Sequence, residues 1–220
     1  QDPEWHPEGD VWIHTMHVCD AAAVIAERDQ LNDFDRSVLL LSALCHDLGK
    51  PSTTEFVDGR WRAHSHCEAG VAPTRTFLER IGCPESLIEV IEPLVADHLV
   101  HVVGPTTPRT VRRLSNRLGK ATIAQLLRLI EADLSGRPPL PAGLPETAEA
   151  IANLARTLDI ENNRPLPIVQ GRHLIALGHR PDVWFSEILK TCFEAQLDGK
   201  FESEDEGLDF VKQLLSERHP

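Results

Sequence analysis

Six side chains of types that bind metal ions are spread along the first 133 residues of the sequence. They are His14, His46, Asp47, His66, His98 and Asp133. Imidazole nitrogens suit Zn, Fe, Ni and similar ions, and carboxylates add Mn and Mg. A lone histidine on a helix is more often an ordinary hydrogen-bonded residue. The combination of four histidines with two aspartates, in contrast, favours a metal site.

The elements that must position these side chains are helices, because apolar residues recur with helical spacing almost throughout the chain. The most apolar helix is predicted over residues 36–48, where Asp35 can cap the start and Gly49 the end. It should be the central buried helix, with His46 and Asp47 near its end. Burying Asp47 without a partner would cost several kcal/mol, and a metal ion shared with imidazoles from other helices would remove that penalty.

The fold class is therefore predicted to be all-α. Further helices are expected at residues 11–30, 66–81, 84–91, 93–101, 108–118, 121–135, 146–159, 171–177, 182–197 and 204–217. Pro93 is expected to split one helical stretch into two. Phe56 and Trp61 flank the turn signal Asp58-Gly59, which favours one small hairpin.

The segment 137–145 has the composition of a linker, with four prolines in nine residues. It is the best candidate for a domain boundary. The sequence thus predicts a first domain at residues 1–137 and a smaller helical segment at residues 138–220.

The formal net charge of −12 argues against a surface coated in positive charge for nucleic acid. Residues 98–130 nevertheless contain six Arg or Lys and no Asp or Glu, which indicates a local basic face or simply a solvated one. The sequence shows no apolar run near the ~20 residues of a membrane span and no secretory leader. The five cysteines lack CxxC spacing, which is typical of reduced thiols. These features predict a cytoplasmic protein without membrane contact.

The order of the metal-binding side chains resembles the HD superfamily of metal-dependent phosphohydrolases. The resemblance is strongest at residues 45–50, which read CHDLGK, and it narrows to the HD region of bacterial CCA-adding tRNA nucleotidyltransferases. Similar stretches lie at residues 6–18, 64–70, 96–101, 126–137 and 168–201. The resemblance extends over about residues 5–215 and implies an HD-domain helical bundle followed by a smaller helical C-terminal segment.

The resemblance also implies a ligand set. One divalent ion would bind His14, His46, Asp47 and Asp133. Asp47 would bridge to a second ion held by His66 and His98. One or two ions would hold the phosphate and lower the pKa of the attacking water. The candidate metals are Ni, Co, Mn, Mg, Fe and Zn. The ammonium group of Lys50 would contact the same phosphate. A lysine at this position would also be favoured by the helix dipole alone.

Other side chains are candidates around this set. His101, three residues after His98, could donate a proton to a leaving group, which makes it a catalytic candidate beside Asp47 and Lys50. Arg137 could reach a substrate phosphate or merely cap its helix. His64 competes with His66 as the ligand of its helix, and the motif match favours His66.

Two main functions are predicted. The first is a metal-dependent phosphohydrolase or phosphodiesterase acting on nucleotides or RNA 3′ ends, tRNA among them, of the 2′,3′-cyclic phosphodiesterase and phosphatase type. The alternative is the tRNA-binding body of a tRNA nucleotidyltransferase without catalysis of its own, in which Arg112 and Arg113 contact phosphates. A small-nucleotide hydrolase of another HD branch has less support. No nucleotidyltransferase head is found in the sequence, so this chain is not expected to add nucleotides.

Overall fold

The computed structural model describes residues 1–218, with side chains through residue 216, and confirms a mostly helical fold. The helices are α1 (Val11–Arg28), α2 (Asp33–Cys45), α3 (Lys50–Thr53), α4 (His66–Ala69), α5 (Val71–Arg80), α6 (Glu85–Asp97), α7 (Pro108–Arg117), α8 (Ile123–Ser135), α9 (Glu146–Thr157), α10 (Gly171–Ala176), α11 (Trp184–Leu197) and α12 (Glu204–Arg218). Residues 219–220 of the predicted C-terminal segment lie outside the described residues. Among the described helices, none is both long and apolar enough to span a membrane.

Helix α2 is the central helix that its composition predicts. It packs against α1, α6 and α8, and its side chains Val38, Leu39 and Ala43 are buried. The cap is Asn32 rather than Asp35, because the Asn32 side chain accepts a hydrogen bond from the Asp35 backbone N–H at 2.9 Å.

The end of α2 differs from the prediction. The helix stops at Cys45, so His46 and Asp47 lie in the tight turns that follow it. Backbone hydrogen bonds from Leu48 to Cys45 (3.1 Å) and from Lys50 to Asp47 (3.0 Å) hold these turns. The two functional side chains therefore stand on a rigid, closely hydrogen-bonded segment.

A close backbone approach joins this segment to α4. A Cβ atom on Gly49 would lie 2.0 Å from the carbonyl oxygen of His66 and 2.6 Å from the backbone nitrogen of Gly70. Real Cβ atoms do not come this close to backbone atoms, so only glycine fits at residue 49. The contact brings His66 up to Asp47.

A second close approach joins α8 to α1. A Cβ atom on Gly136 would lie 2.8 Å from the backbone nitrogen of Val18. The C-terminal end of α8 therefore rests directly on α1, which places Asp133 beside His14.

The predicted break at Pro93 is wrong, because α6 continues from Glu85 to Asp97 with this proline inside it. Five apolar side chains of this helix are buried, namely Ile88, Val90, Ile91, Leu94 and Val95. Burial of each contributes ~1.5–3 kcal/mol, which outweighs the ~3 kcal/mol that an internal proline costs.

The predicted hairpin forms from β1 (Thr54–Val57) and β2 (Arg60–Ala63). The strands are antiparallel, with Phe56 opposite Trp61 and their ring centroids 5.1 Å apart. Asp58 and Gly59 form the turn with φ values of 55° and 78°. Along the chain, this hairpin lies between α3 and α4.

The C-terminal helices have their own hydrophobic cluster, formed by side chains of α10–α12 and the adjoining loops. Helix α9, in contrast, packs through Ala148, Ile151 and Ala155 into the hydrophobic core that α1, α2, α6, α7 and α8 form. The domain boundary after residue 137 stays a prediction, and the packing keeps α9 with the helices that precede the linker.

The basic residues of segment 98–130 are paired with acidic side chains from neighbouring elements. Arg109 and Arg113 contact Asp198 at 2.9 and 2.6 Å, and Arg112 contacts Glu202. The other pairs are Arg117–Asp97, Lys120–Glu89 and Arg128–Asp29. The segment is therefore not an unpaired basic face, and its first three arginines attach α7 to the C-terminal region.

Replacing Gly49 by alanine should lower the free energy of unfolding by ~1–3 kcal/mol or more, as overpacking against immobile backbone does. Gly171→Ala is the matched control, because no atom lies within 4 Å of the added Cβ there. Denaturant unfolding of both variants without added metal checks this. Equal midpoints for Gly49→Ala and the unaltered protein would contradict the close approach.

Candidate metal centre

All six side chains singled out by the sequence converge in the structure. His14 comes from α1, His46 and Asp47 from the turns after α2, His66 from the start of α4, His98 from the residue after α6, and Asp133 from α8. All six are buried. His64, the competing candidate, is exposed, so the structure brings His66 to the cluster as the motif predicts.

The first group of ligand-type atoms lies between α1, α2 and α8. His14 Nε2 is 3.1 Å from Asp133 Oδ1 and 3.2 Å from His46 Nε2, and His46 Nε2 is 3.3 Å from Asp47 Oδ2. Metal–nitrogen and metal–oxygen bonds of ~2.0–2.2 Å place neighbouring ligand atoms roughly 3–3.5 Å apart. These four side chains are therefore spaced to share one ion.

The second group lies between α4 and the end of α6. His66 Nε2 is 3.4 Å from Asp47 Oδ1, the other oxygen of the same carboxylate. Cys67 Sγ is 3.8 Å from His66 Nε2 and 3.9 Å from His98 Nε2. Asp47 thus offers one oxygen to each group, as a bridging ligand does. Sequence reasoning missed Cys67, although its position directly after His66 was the available signal.

Three of the four histidines are oriented in the same way. In each, Nδ1 donates a hydrogen bond to the carbonyl of the residue three positions earlier. The pairs are His46–Ala43 at 2.8 Å, His66–Ala63 at 2.7 Å and His98–Val95 at 2.7 Å. Nδ1 is thereby engaged with the backbone, and Nε2 is the nitrogen that faces the cluster. Metal-binding histidines are held by their second nitrogen in this manner.

His14 is oriented by a carboxylate that the sequence reasoning did not consider. Glu8 Oε1 lies 2.8 Å from His14 Nδ1 and 2.9 Å from His6 Nδ1. The Glu8 side chain is fully buried, and among the described residues its Oε2 has no hydrogen-bond partner. Both Glu8 and His6 lie in the stretch 6–18 that carries the family resemblance, which was the signal that could have found them.

The histidines differ in charge state. Burial lowers the pKa of His98 to about 4 and also lowers that of His66, so both rings are neutral near pH 7, the form that binds metal. Burial also acts to lower the pKa of His46, but the adjacent Asp47 carboxylate outweighs it and raises that pKa to about 9. The centre of the cluster therefore favours a positive charge, which a bound cation would supply in place of the proton.

Both carboxylates stay ionised despite their burial. Burial alone would raise the pKa of Asp133, yet the His14 hydrogen bond and the charge on His46 hold it below its ordinary value. The pKa of Asp47 is likewise well below its ordinary value, because His46 and Lys50 outweigh the effect of burial.

The donor set fits a divalent metal ion. Asp47 Oδ2 is buried and lies 2.7 Å from Lys50 Nζ and 3.3 Å from His46 Nε2. A buried, ionised carboxylate surrounded by imidazole nitrogens is a donor set that suits a divalent ion.

A cavity of about 210 Å³ lies over the cluster and opens to solvent. Asp47, His66, His98 and Asp133 line its inner side. Lys50 lines it too, and its Nζ also donates to Gln1 Oε1 at 2.6 Å.

Arg137, a candidate for a phosphate contact or for a helix cap, lines the same cavity. Its buried Nε has no hydrogen-bond partner in the part of the chain that the structure describes.

The remaining predicted residues do not line the cavity. His101 is buried near Asp133 and Arg137, and burial lowers its pKa, so its ring is mostly unprotonated near neutral pH. Arg112 and Arg113 lie away from the cavity, in the ion pairs with the C-terminal region. The catalytic role of His101 and the substrate contacts of the two arginines stay predictions.

Replacing Glu8 by alanine should weaken binding of a divalent ion ~10–100-fold, because His14 Nδ1 loses its nearer acceptor and keeps only the Gly136 carbonyl at 3.3 Å. Calorimetric titration of the metal-free protein with Mn²⁺ or Zn²⁺ measures this. Glu27→Ala, on an exposed position of α1, is the control and should bind as before. Unchanged affinity in Glu8→Ala would show that Glu8 does not position His14.

The chain matches known proteins over the part that builds the cluster. The model of the HD domain family matches residues 11–161, which include all six clustered side chains. "Multifunctional CCA protein" of Pasteurella multocida is 32% identical over 139 residues, which are 61% of this chain and 32% of that protein. The proteins of the same name from Xylella fastidiosa (strain M23) and Xanthomonas campestris pv. campestris (strain B100) are 35% and 36% identical over 143 residues, 62% of this chain and 32% of each.

The chain spans about a third of the length of these curated relatives. No solved structure matches it significantly. Since the family match covers well over half of the chain and contains the buried histidines and aspartates, the protein belongs to the HD domain family, which at the superfamily level implies a metal-dependent phosphohydrolase.

Proposed function

We propose that this protein hydrolyses a phosphate ester at the end of an RNA or on a nucleotide, as a 2′,3′-cyclic phosphodiesterase and phosphatase. The observation that supports it is the buried cluster of four histidines and two aspartates, of which His66, His98, Asp47 and Asp133 line an open cavity. One ion would bind His14, His46, Asp133 and Asp47, and a second would bind His66, His98 and the other oxygen of Asp47. Bound there, the ions would supply Lewis acidity and lower the pKa of a water molecule.

The chain supplies its own cations to a phosphate in this cavity. Lys50 Nζ lies next to Asp47, and Arg137 lines the same cavity. Arg62, on β2, lines the cavity and has no ion pair among the described residues. Charged hydrogen bonds to phosphate oxygens are the strong ones in proteins, so these three side chains would bind and orient the substrate.

The rim of the cavity fits a nucleobase. Trp5 and Trp61 line it with 57% and 50% of their surfaces exposed. Exposed aromatic rings stack on bases at ~1–3 kcal/mol per base. The cavity of about 210 Å³ is smaller than the ~300–1,000 Å³ that encloses a whole ligand. It therefore suits the reacting end of a substrate whose remainder lies outside.

The alternative, a tRNA-binding body without catalysis, has weaker support. It relied on the basic segment 98–130, whose six cations all pair with acidic side chains. The names of the relatives and the resemblance to CCA-adding enzymes favour RNA 3′ ends as the substrate class, and the cavity is the place where this chain would meet them.

The purified chain should hydrolyse 2′,3′-cyclic AMP with at least one of Ni²⁺, Co²⁺, Mn²⁺ or Mg²⁺ and lose turnover on chelation. Asp47→Asn should abolish turnover, because one carboxylate serves both ligand groups. Circular dichroism of the variant controls for folding. Absence of turnover with every ion, or full turnover in Asp47→Asn, would overturn the proposed activity.

Arg62→Ala should reduce kcat/KM about 10-fold or more, since a charged hydrogen bond contributes ~1.5–3 kcal/mol. Arg60→Ala removes the same charge from the same strand, but Arg60 pairs with Glu4 at 2.8 Å and should have little effect. Steady-state kinetics on the cyclic nucleotide compares the two. Equal kinetics in both variants would remove Arg62 from the substrate site.

A further inference from the structure

Cys67 occupies a position that the ligand set implied by the family does not include. It follows His66 in α4 and is half-buried, and its Sγ faces the Nε2 atoms of His66 and His98 at 3.8 and 3.9 Å. The three ligand-type atoms all lie within 4.8 Å of one another. Both imidazoles are held by their Nδ1 hydrogen bonds to Ala63 and Val95, so their lone pairs point to the space beside the sulfur.

The spacing fits four-coordinate binding. Metal–sulfur bonds of ~2.3 Å and metal–nitrogen bonds of ~2.0–2.1 Å at tetrahedral angles place sulfur and nitrogen roughly 3.5–3.6 Å apart. The two observed distances exceed this by a few tenths of an ångström, which a side-chain adjustment would close. The 3.4 Å between His66 Nε2 and Asp47 Oδ1 matches the corresponding nitrogen–oxygen spacing. Two nitrogens and one sulfur thus form a set of three ligand-type atoms, and Asp47 Oδ1 is the neighbouring oxygen that could supply a fourth.

We propose that Cys67 is a thiolate ligand of the second ion, with His66, His98 and Asp47 Oδ1, and that this position selects thiophilic ions such as Zn²⁺ or Co²⁺. This proposal rests on the proposed function, because the second metal position is part of that function. Thiolates favour zinc over the hard ions Mg²⁺ and Mn²⁺, and binding releases the thiol proton to solvent.

The first position has no comparable sulfur. Cys45 precedes His46, but it lies in an apolar cluster with Leu78 and Ile88. The ligand atoms of the first group in the described chain are nitrogens and oxygens, from His14, His46, Asp133 and Asp47. The two positions therefore differ in the softness of their ligand atoms. The protein would hold two different metals when both soft and hard ions are present.

Titration of the metal-free chain with Co²⁺ tests the assignment. Visible d–d bands report cobalt binding, and a near-ultraviolet thiolate-to-cobalt charge-transfer band reports sulfur ligation. The charge-transfer band should appear, vanish in Cys67→Ser and Cys67→Ala, and persist in Cys83→Ser, which changes a half-buried thiol outside the cluster. The preference for Zn²⁺ over Mn²⁺ should fall by about 10-fold or more in Cys67→Ser.

Cobalt binding without the charge-transfer band, or a band that survives in both Cys67 variants, would overturn the assignment. Hydrolysis of 2′,3′-cyclic AMP by the same samples separates it from the proposed function. The band, with no turnover with Co²⁺, Ni²⁺, Mn²⁺ or Mg²⁺, supports the thiolate ligand and contradicts the activity. Turnover without the band supports the activity and contradicts the thiolate ligand. Absence of any cobalt binding would overturn the thiolate ligand, and the activity is then decided by turnover with the other ions. Unfolding midpoints of the metal-free variants control for folding.

Discussion

The burial of Asp47 and Asp133 beside four imidazoles is the interaction on which the rest of the structure depends. A buried carboxylate without a positive or hydrogen-bonding partner is costly, so each must be met by groups from other elements. Those groups come from α1, α4 and the segments after α2 and α6, which must therefore approach one another closely. The Nδ1 hydrogen bonds then leave little freedom in the rings, so the Nε2 atoms face a common space before any ion arrives.

Close packing of backbone makes this approach possible. At Gly49 and Gly136 the absence of a side chain lets neighbouring segments touch, and each contact lies within four residues of a clustered aspartate. The segment around Lys50 is held by short backbone turns rather than by a long helix, which suits side chains that must keep fixed positions. Stability and site geometry thus rest on the same contacts.

The distribution of charge has two separate parts. In segment 98–130 the arginines and Lys120 have acidic partners, several of them in the C-terminal region, so these charges attach one part of the chain to another. At the cavity, Arg62 and Arg137 keep donors without acidic partners among residues 1–218. A net charge of −12 is therefore compatible with a local site for a phosphate, because two cations without acidic partners among the described residues line the cavity together with the ligand-type side chains.

The sequence by itself determined the helical class, the central helix, the hairpin turn and the six side chains of the cluster. The periodicity of apolar residues, the turn residues and a distinctive motif are all local signals. Pro93 shows where local signals fail, since burial of the apolar face of α6 outweighs the cost of the proline. Only the tertiary structure decided that Glu8 orients His14, that Cys67 faces two imidazoles and that Arg112 and Arg113 pair with acids instead of facing the cavity. Each of these features is either a contact between elements distant in sequence or the direction of a side chain. Both depend on how the helices pack and not on residue spacing.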